Sequence, residues 1–182
     1  MGRARDTATD GERATDEAVT LAAVDAHLAS RRRAETPLSC VVDAVLAARP
    51  ERRPTRVVLE CASARSNARD VVAAASAVDL LDARTFVRWV GLPERAPAST
   101  DAVLVGDYLH SLAFESLVET SDGVSESLLG AVTAGVSDLY GAESDAASDG
   151  RDVPAAARRG VFAIADAVVD ALDGGTRGEA SR

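Results

Sequence analysis

The chain has 182 residues, of which 47% are hydrophobic and 3% aromatic, and its formal net charge is −9. This length suits one domain with a sizeable core, and a core of Ala, Val and Leu favours packed helices over aromatic-rich strands. All basic residues are arginine, and the acidic balance predicts a salt-adapted protein and disfavours general nucleic-acid binding.

Both ends of the chain are polar. Residues 1–14 contain no apolar signal core, residues 174–182 are rich in Gly and charged side chains, and no run approaches a bilayer-spanning length. We therefore expect two mobile tails around one helical domain at residues 15–173, with no membrane span and a cytoplasmic location.

The first half of the chain predicts four helices. Their start signals are Thr15, the pair Thr36 and Pro37, Pro54, and Ser66. Each start precedes apolar residues at helical spacing, which are Leu21, Val24 and Leu28; Val41, Val42 and Val45; Val57 and Val58; and Val71, Ala74, Val78 and Leu81.

The second half predicts three more helices, opened by Thr100, by Ser121, and by Asp152 with Pro154. We expect the sixth to end before an acidic loop at residues 141–152, and the seventh to stop at Gly174. No segment alternates with the period of a strand, so the sequence predicts an all-α, single-domain bundle of about seven helices.

The fifth predicted helix carries Gly106 and Asp107 in its interior. Glycine there costs about 1 kcal/mol relative to alanine, which predicts that another helix backbone passes close. Asp107 shares a face with Val103 and His110, so it either borders the core or faces a cavity. His110 itself is expected at the cavity or, hydrogen-bonded to backbone, at the edge of the core.

Five segments, in order along residues 52–172, resemble one family of helical enzymes. "RRPTRVVLECASA" resembles a helix opened by K-x-x-R-P, "AAASAVDLLDARTF" a helix leading to an Asp-rich motif, and "VLVGDYLHSLAFESL" a G-D-x-L-x-x-x-A helix. "GVSDLYGAESDA" and "AARRGVFAIADAVVDAL" resemble that family's Gly-Gln and Lys-Thr segments. The family is the trans-polyprenyl diphosphate synthases, and the resemblance implies the first part of the isoprenoid synthase fold.

The chain departs from that family at its metal sites. The family holds magnesium ions on two Asp-rich motifs, but Trp89 and Val90 stand at the first, and the second has no counterpart in these residues. Arg53 matches the motif arginine, whereas Pro50 replaces the motif lysine and Asp82 replaces a usual histidine. Without the metals the diphosphate loses the charge neutralisation that ionisation needs, so the resemblance implies no catalytic or metal-ligating residues.

The resemblance leaves three functional hypotheses open. The first is a non-catalytic regulatory or partner subunit in isoprenoid biosynthesis, as a homodimer or a heteromer with an active synthase. The second is a module that binds a prenyl chain or prenyl diphosphate without turnover, at a remnant site of Arg53, Asp82 and Asp107. The third is a residual magnesium-dependent prenyltransferase, the one case that requires a cofactor, using Asp79 with Asp82 or the ladder of Asp166, Asp170 and Asp173.

Two further features carry predictions. Between Arg31 and Arg56 the chain has seven arginines against three acids, which predicts a diphosphate site, a docking patch for an acidic partner, or charges at helix C-termini. Cys40 and Cys61 lie among apolar residues, and we expect them to be buried free thiols.

Overall fold

The computed structural model describes residues 21–31, 37–49, 51–62, 66–94 and 101–179. They form seven helices and no strand, so the predicted all-α class is confirmed. The helices are α1 (residues 21–31), α2 (Pro37–Ala47), α3 (Arg53–Cys61), α4 (Ala68–Trp89), α5 (Ala102–Val118), α6 (Asp122–Ser148) and α7 (Val153–Glu179). The predicted N-terminal tail and the start signals Thr15, Thr36 and Thr100 lie outside the described residues.

Helix α4 forms the centre of the bundle. Every residue from Ala73 to Leu81 is buried, and α4 contacts α2, α3, α5 and α7. Other helices therefore surround this segment of α4 and leave it no side that faces water. Any polar side chain of this helix must therefore find its partners inside the protein.

Helices α6 and α7 form an antiparallel pair with a close crossing. A Cβ added at Gly160 would lie 2.5 Å from Leu139 Cδ1 and 3.3 Å from Leu139 Cα, and one at Gly135 would lie 2.6 Å from Ile164 Cγ1. Glycine at these positions lets the two helices approach, because neither site has room for a side chain.

A buried carboxylate joins the starts of α4 and α6. Asp70 is 3% exposed and accepts hydrogen bonds from the backbone nitrogen of Ser121 at 2.9 Å and from its Oγ at 2.7 Å. Ser121 is the N-cap of α6, as its sequence position predicts. The cap faces a side chain 51 residues earlier in the chain, which no local pattern indicates.

Several predicted helix ends are wrong. Asn67, and not Ser66, caps α4 by accepting from Arg69 N at 2.9 Å. Helix α6 continues through the predicted acidic loop to Ser148, because that stretch buries part of its own face, including Glu143. Helix α7 continues beyond Gly174 to Glu179, since a glycine weakens a helix without terminating it.

Cys40 and Cys61 are free thiols as predicted, but both are exposed, so the predicted burial is wrong. Val41 and Val45 occupy the buried face of α2, and Val58 that of α3. Each cysteine therefore lies on the outer side of a short helix. Among the helices of the described residues, none combines the length and the apolar character that a membrane crossing requires.

Candidate functional site

A cavity of about 430 Å³ opens where the end of α2, the start of α3, the last turns of α4 and the start of α7 meet. Its lining combines arginines, carboxylates and aromatic rings: Ala48, Arg49, Glu51, Arg52, Arg53, Pro54, Asp82, Thr85, Phe86, Trp89, Val90, Pro154, Arg158 and Phe162. The arginines of the lining come from the end of α2, the start of α3 and the start of α7, and its aromatic side chains come from α4 and α7.

The structure brings two of the three predicted site residues to this cavity. Arg53 and Asp82 line it, from the first residue of α3 and from the middle of α4. Asp107 lies on the exposed side of α5 and is not part of the lining. Of the predicted cluster of three residues, only Arg53 and Asp82 therefore lie at the same cavity.

Beneath the cavity lies the fully buried Asp79, which binds the lining residues Arg49 and Arg52; this cluster is called the floor of the cavity. Its Oδ1 accepts from Thr55 Oγ1 at 3.0 Å and from Arg49 Nη2 at 3.1 Å, and its Oδ2 accepts from Arg52 Nη2 at 2.8 Å. A buried carboxylate is tolerated when charged donors saturate its oxygens. Asp79 meets this condition with two guanidinium groups and one hydroxyl.

Arg49 is the buried arginine of the floor, at 7% exposure. Besides Asp79 it pairs with Asp82, which accepts from Arg49 Nε at 3.1 Å. Its third nitrogen, Nη1, is buried and has no hydrogen-bond partner among the described residues. A buried unpaired donor carries a desolvation cost.

Arg52 caps α3 in an unusual backbone conformation. Its φ of 42° and ψ of 41° lie in the left-handed region, and within the described residues no side-chain hydrogen bond caps the helix. A non-glycine residue there costs on the order of 1 kcal/mol or more, and the guanidinium of Arg52 is bound by Asp79 and Asp25. Burial lowers the pKa of Arg52, but the ion pairs with Asp79 and Asp25 outweigh it, so its pKa is raised above the ordinary value.

Three aromatic side chains form an apolar wall of the cavity. Phe86, Trp89 and Phe162 line the cavity and are half-buried; the whole chain contains three Phe, two Tyr and one Trp. Half of the aromatic residues therefore meet at this one place. Trp89, which stands where the resembled family has metal-binding aspartates, borders the cavity and leaves it open.

The mouth of the cavity carries positive charge on exposed side chains. Arg53 Nε lies 2.7 Å from Glu51 Oε2, but both side chains are about two-thirds exposed, and such surface pairs are weak and exchange readily. Arg158, on the first turns of α7, is exposed and makes no hydrogen bond or ion pair with the described residues. Both guanidinium groups can therefore turn toward an anion.

The two groups of carboxylates predicted as possible metal ligands have different environments. Asp79 and Asp82 share a face of α4 as predicted, and Arg49 neutralises both of them. On α7, Asp166 and Asp170 are exposed. Within the described ranges no three His, Cys, Asp or Glu side chains form a group suited to a metal ion.

Gly106 has a different environment from the predicted one. A Cβ added there would lie 3.8 Å from Arg84 Cγ, an ordinary contact with a flexible side chain, so no helix backbone requires glycine at this position. His110 contacts Phe114, with ring centroids 5.0 Å apart, and its buried Nδ1 has no hydrogen-bond partner in the part of the chain that the structure describes. The predicted backbone hydrogen bond of His110 is therefore not found at this nitrogen.

Sequence reasoning missed Arg49, Arg158 and Phe162 as parts of the site. Arg49 was counted in the basic stretch, but its partners lie 30 and 33 residues away and no local pattern identifies them. At the other end of that stretch, Arg31 pairs with Glu119, which follows α5. The basic stretch thus supplies internal ion pairs as well as the cavity mouth.

A comparison of the chain with models of known protein families, with curated proteins and with solved structures finds no match.

Proposed function

We propose that this protein binds a small amphipathic anion in the cavity between α2, α3, α4 and α7, and that prenyl diphosphate is the class of ligand. The observation that carries the proposal is that four arginines and three aromatic side chains line one cavity. Ligand sites of this kind combine apolar walls with a few placed polar groups. The sequence resemblance contributes the identity of the ligand class.

The arginines that line the cavity suit a phosphate group. Arg53 and Arg158 present exposed guanidinium groups, and α3 begins at the cavity without a side-chain cap. Guanidinium forks match phosphate oxygens bidentately, and helix N-termini favour anions. The wall of Phe86, Trp89 and Phe162 suits an unsaturated hydrocarbon chain.

We further propose that the bound ligand is not turned over, which makes the chain a pseudoenzyme within the resembled family. Ionisation of a prenyl diphosphate requires the leaving group to be neutralised in a preorganised site. Asp79 and Asp82, the paired carboxylates of α4, are held by Arg49 and Arg52. The cytoplasmic location and salt adaptation inferred from composition belong to the same proposal.

Thermal-shift and fluorescence titrations test the binding function with farnesyl diphosphate, farnesol and inorganic pyrophosphate. We expect farnesyl diphosphate to raise the melting temperature most, because it alone can contact both the arginines and the aromatic side chains of the cavity. Arg53→Ala and Arg158→Ala should each weaken binding by roughly tenfold, the effect of one lost charge-assisted contact.

Arg159→Ala is the matched control, since Arg159 is also exposed on α7 but lines a separate groove. An equal loss with Arg159→Ala would reduce the effect to overall charge, and no stabilisation by any probe would refute the proposal. Formation of a prenyl-transfer product with magnesium would refute the absence of turnover.

A second candidate is the partner-subunit role implied by the resemblance. The observation that favours it is the exposure of large apolar side chains on α5: Val103, Leu104 and Val118 are 67%, 59% and 68% exposed. Co-purification at native salt concentration, with the native mass measured by light scattering, tests this role. A monomer that retains no synthase would exclude it.

A further inference from the structure

We propose that Glu143 of α6 is a positioning residue for the cavity, because it fixes the indole of Trp89 that forms part of the apolar wall. The effect on ligand affinity rests on the proposed function above. The effect on Trp89 itself does not, and it is measurable without any ligand.

The contact between the two residues is direct. Trp89 Nε1 donates a hydrogen bond to Glu143 Oε1 at 2.8 Å across 54 residues of sequence. Glu143 is 4% exposed and does not line the cavity. Helix α6 therefore reaches the cavity wall through the side chain of Trp89.

The charge of Glu143 is compensated locally. Its Oε2 lies 3.5 Å from Arg88 Nε, within ion-pair reach but without hydrogen-bond geometry. The guanidinium carbon of Arg88 also lies 5.2 Å from the centroid of the Trp89 ring, a cation–π distance. The indole is thus held at its edge by a carboxylate and over its face by a guanidinium.

This arrangement predicts what happens when the acceptor is lost. The indole N–H would remain without its partner at a half-buried site, which costs free energy, so the ring would rotate toward water or into the cavity. Either movement changes the shape of the cavity where Trp89 lines it. Glu143→Gln retains an acceptor oxygen and the side-chain volume, whereas Glu143→Leu retains volume without an acceptor.

Trp89 is the only tryptophan of the chain, so its fluorescence and its indole NMR signal report this contact directly. In the ligand-free protein we expect Glu143→Leu to shift the emission to longer wavelength, to raise acrylamide quenching, and to abolish protection of the indole N–H against hydrogen exchange. Glu143→Gln should keep the native values. Affinity for farnesyl diphosphate should fall roughly tenfold in Glu143→Leu and little in Glu143→Gln, as the loss of one positioning hydrogen bond predicts.

Leu128→Ala is the control for general destabilisation, because Leu128 is a fully buried residue of the same helix. It should lower the melting temperature and leave the indole signals unchanged. If Glu143→Leu does not fold, as judged by circular dichroism, Glu143→Met provides a second apolar replacement of similar length.

Native fluorescence and exchange in Glu143→Leu or Glu143→Met would overturn the proposal, and so would a Glu143→Gln variant that behaves like the leucine variant. If the wild-type protein binds no prenyl diphosphate, the binding function fails while the indole measurements still decide the role of Glu143.

Discussion

Asp79 illustrates how a single buried side chain organises the region below the cavity. It is fully buried on the central helix and accepts hydrogen bonds from Arg49, Arg52 and Thr55. These donors come from the end of α2 and the start of α3, so one carboxylate joins two helix ends to α4. Removing one member of such a network leaves buried charges without compensation.

We therefore expect Asp79→Ala to destabilise the protein by about 3–5 kcal/mol, the usual cost of breaking a buried ion pair from one side. Asp82→Ala should cost clearly less, because Asp82 is half-buried and Arg49 retains Asp79 as a partner. Urea denaturation followed by circular dichroism measures both free energies of unfolding.

The exposed Asp166 on α7 provides the control, since Asp166→Ala removes the same charge at the surface. Its effect should lie within about 0.5 kcal/mol of zero. Equal costs for Asp79→Ala and Asp166→Ala would show that the network contributes nothing to stability.

At the scale of helices, the sequence predicted buried faces well and helix contacts poorly. The stripe of α5, with Val105, Leu109, Leu112 and Leu117, is buried as its spacing predicts, because a helix that packs on one side repeats its apolar residues every 3.6 positions. Periodicity does not say which element covers a stripe. The cost of glycine inside a helix likewise predicted a close crossing at Gly106, whereas the close crossings lie at Gly135 and Gly160.

The two kinds of glycine predict opposite responses to alanine. Gly160→Ala should destabilise the protein by about 1–3 kcal/mol, because its Cβ would press against the side chain and backbone of Leu139. Gly106→Ala should be neutral or stabilising by up to about 1 kcal/mol, since it meets only ordinary contact with Arg84 and gains helix propensity.

Thermal unfolding of the two variants, recorded side by side, checks this difference. Gly130→Ala serves as a further comparison, because a Cβ at Gly130 meets nothing within 4 Å. A melting temperature of Gly160→Ala equal to that of Gly106→Ala would contradict the close crossing of α6 and α7.

For the whole molecule, composition predicted the class of the fold, and the placement of charge had to come from the structure. The net charge of −9 coexists with a cavity lined by four arginines and two carboxylates. Asp79 and Asp82 were recognised as neighbours on one helix face, but not as partners of Arg49 and Arg52, because those contacts depend on how helices far apart in sequence meet. Glu143 was assigned to a loop for the same reason, since its burial comes from tertiary packing.

The two histidines predict how the whole molecule responds to acid. Burial lowers the pKa of His27, with Arg31 and Arg69 adding to the effect; burial and Arg84 lower the pKa of His110, against the opposing charge of Asp107. Each imidazole therefore binds a proton more readily in the unfolded chain, where its pKa has the ordinary value of 6.5. The contribution of the two neutral histidines to the free energy of unfolding should be fully present above that pH and should be lost as the pH drops below it.

We expect the free energy of unfolding, measured with urea between about pH 7.5 and pH 5.5, to decrease with acidification and to decrease less in a His27→Gln/His110→Gln variant. The range stays above the ordinary pKa values of carboxylates, so the imidazoles dominate the difference between the two proteins. Asp107→Asn supplies a directional check, because removing this carboxylate should lower the pKa of His110 further and steepen the decrease. Parallel pH profiles for the native protein and the double variant would contradict the role of the histidines.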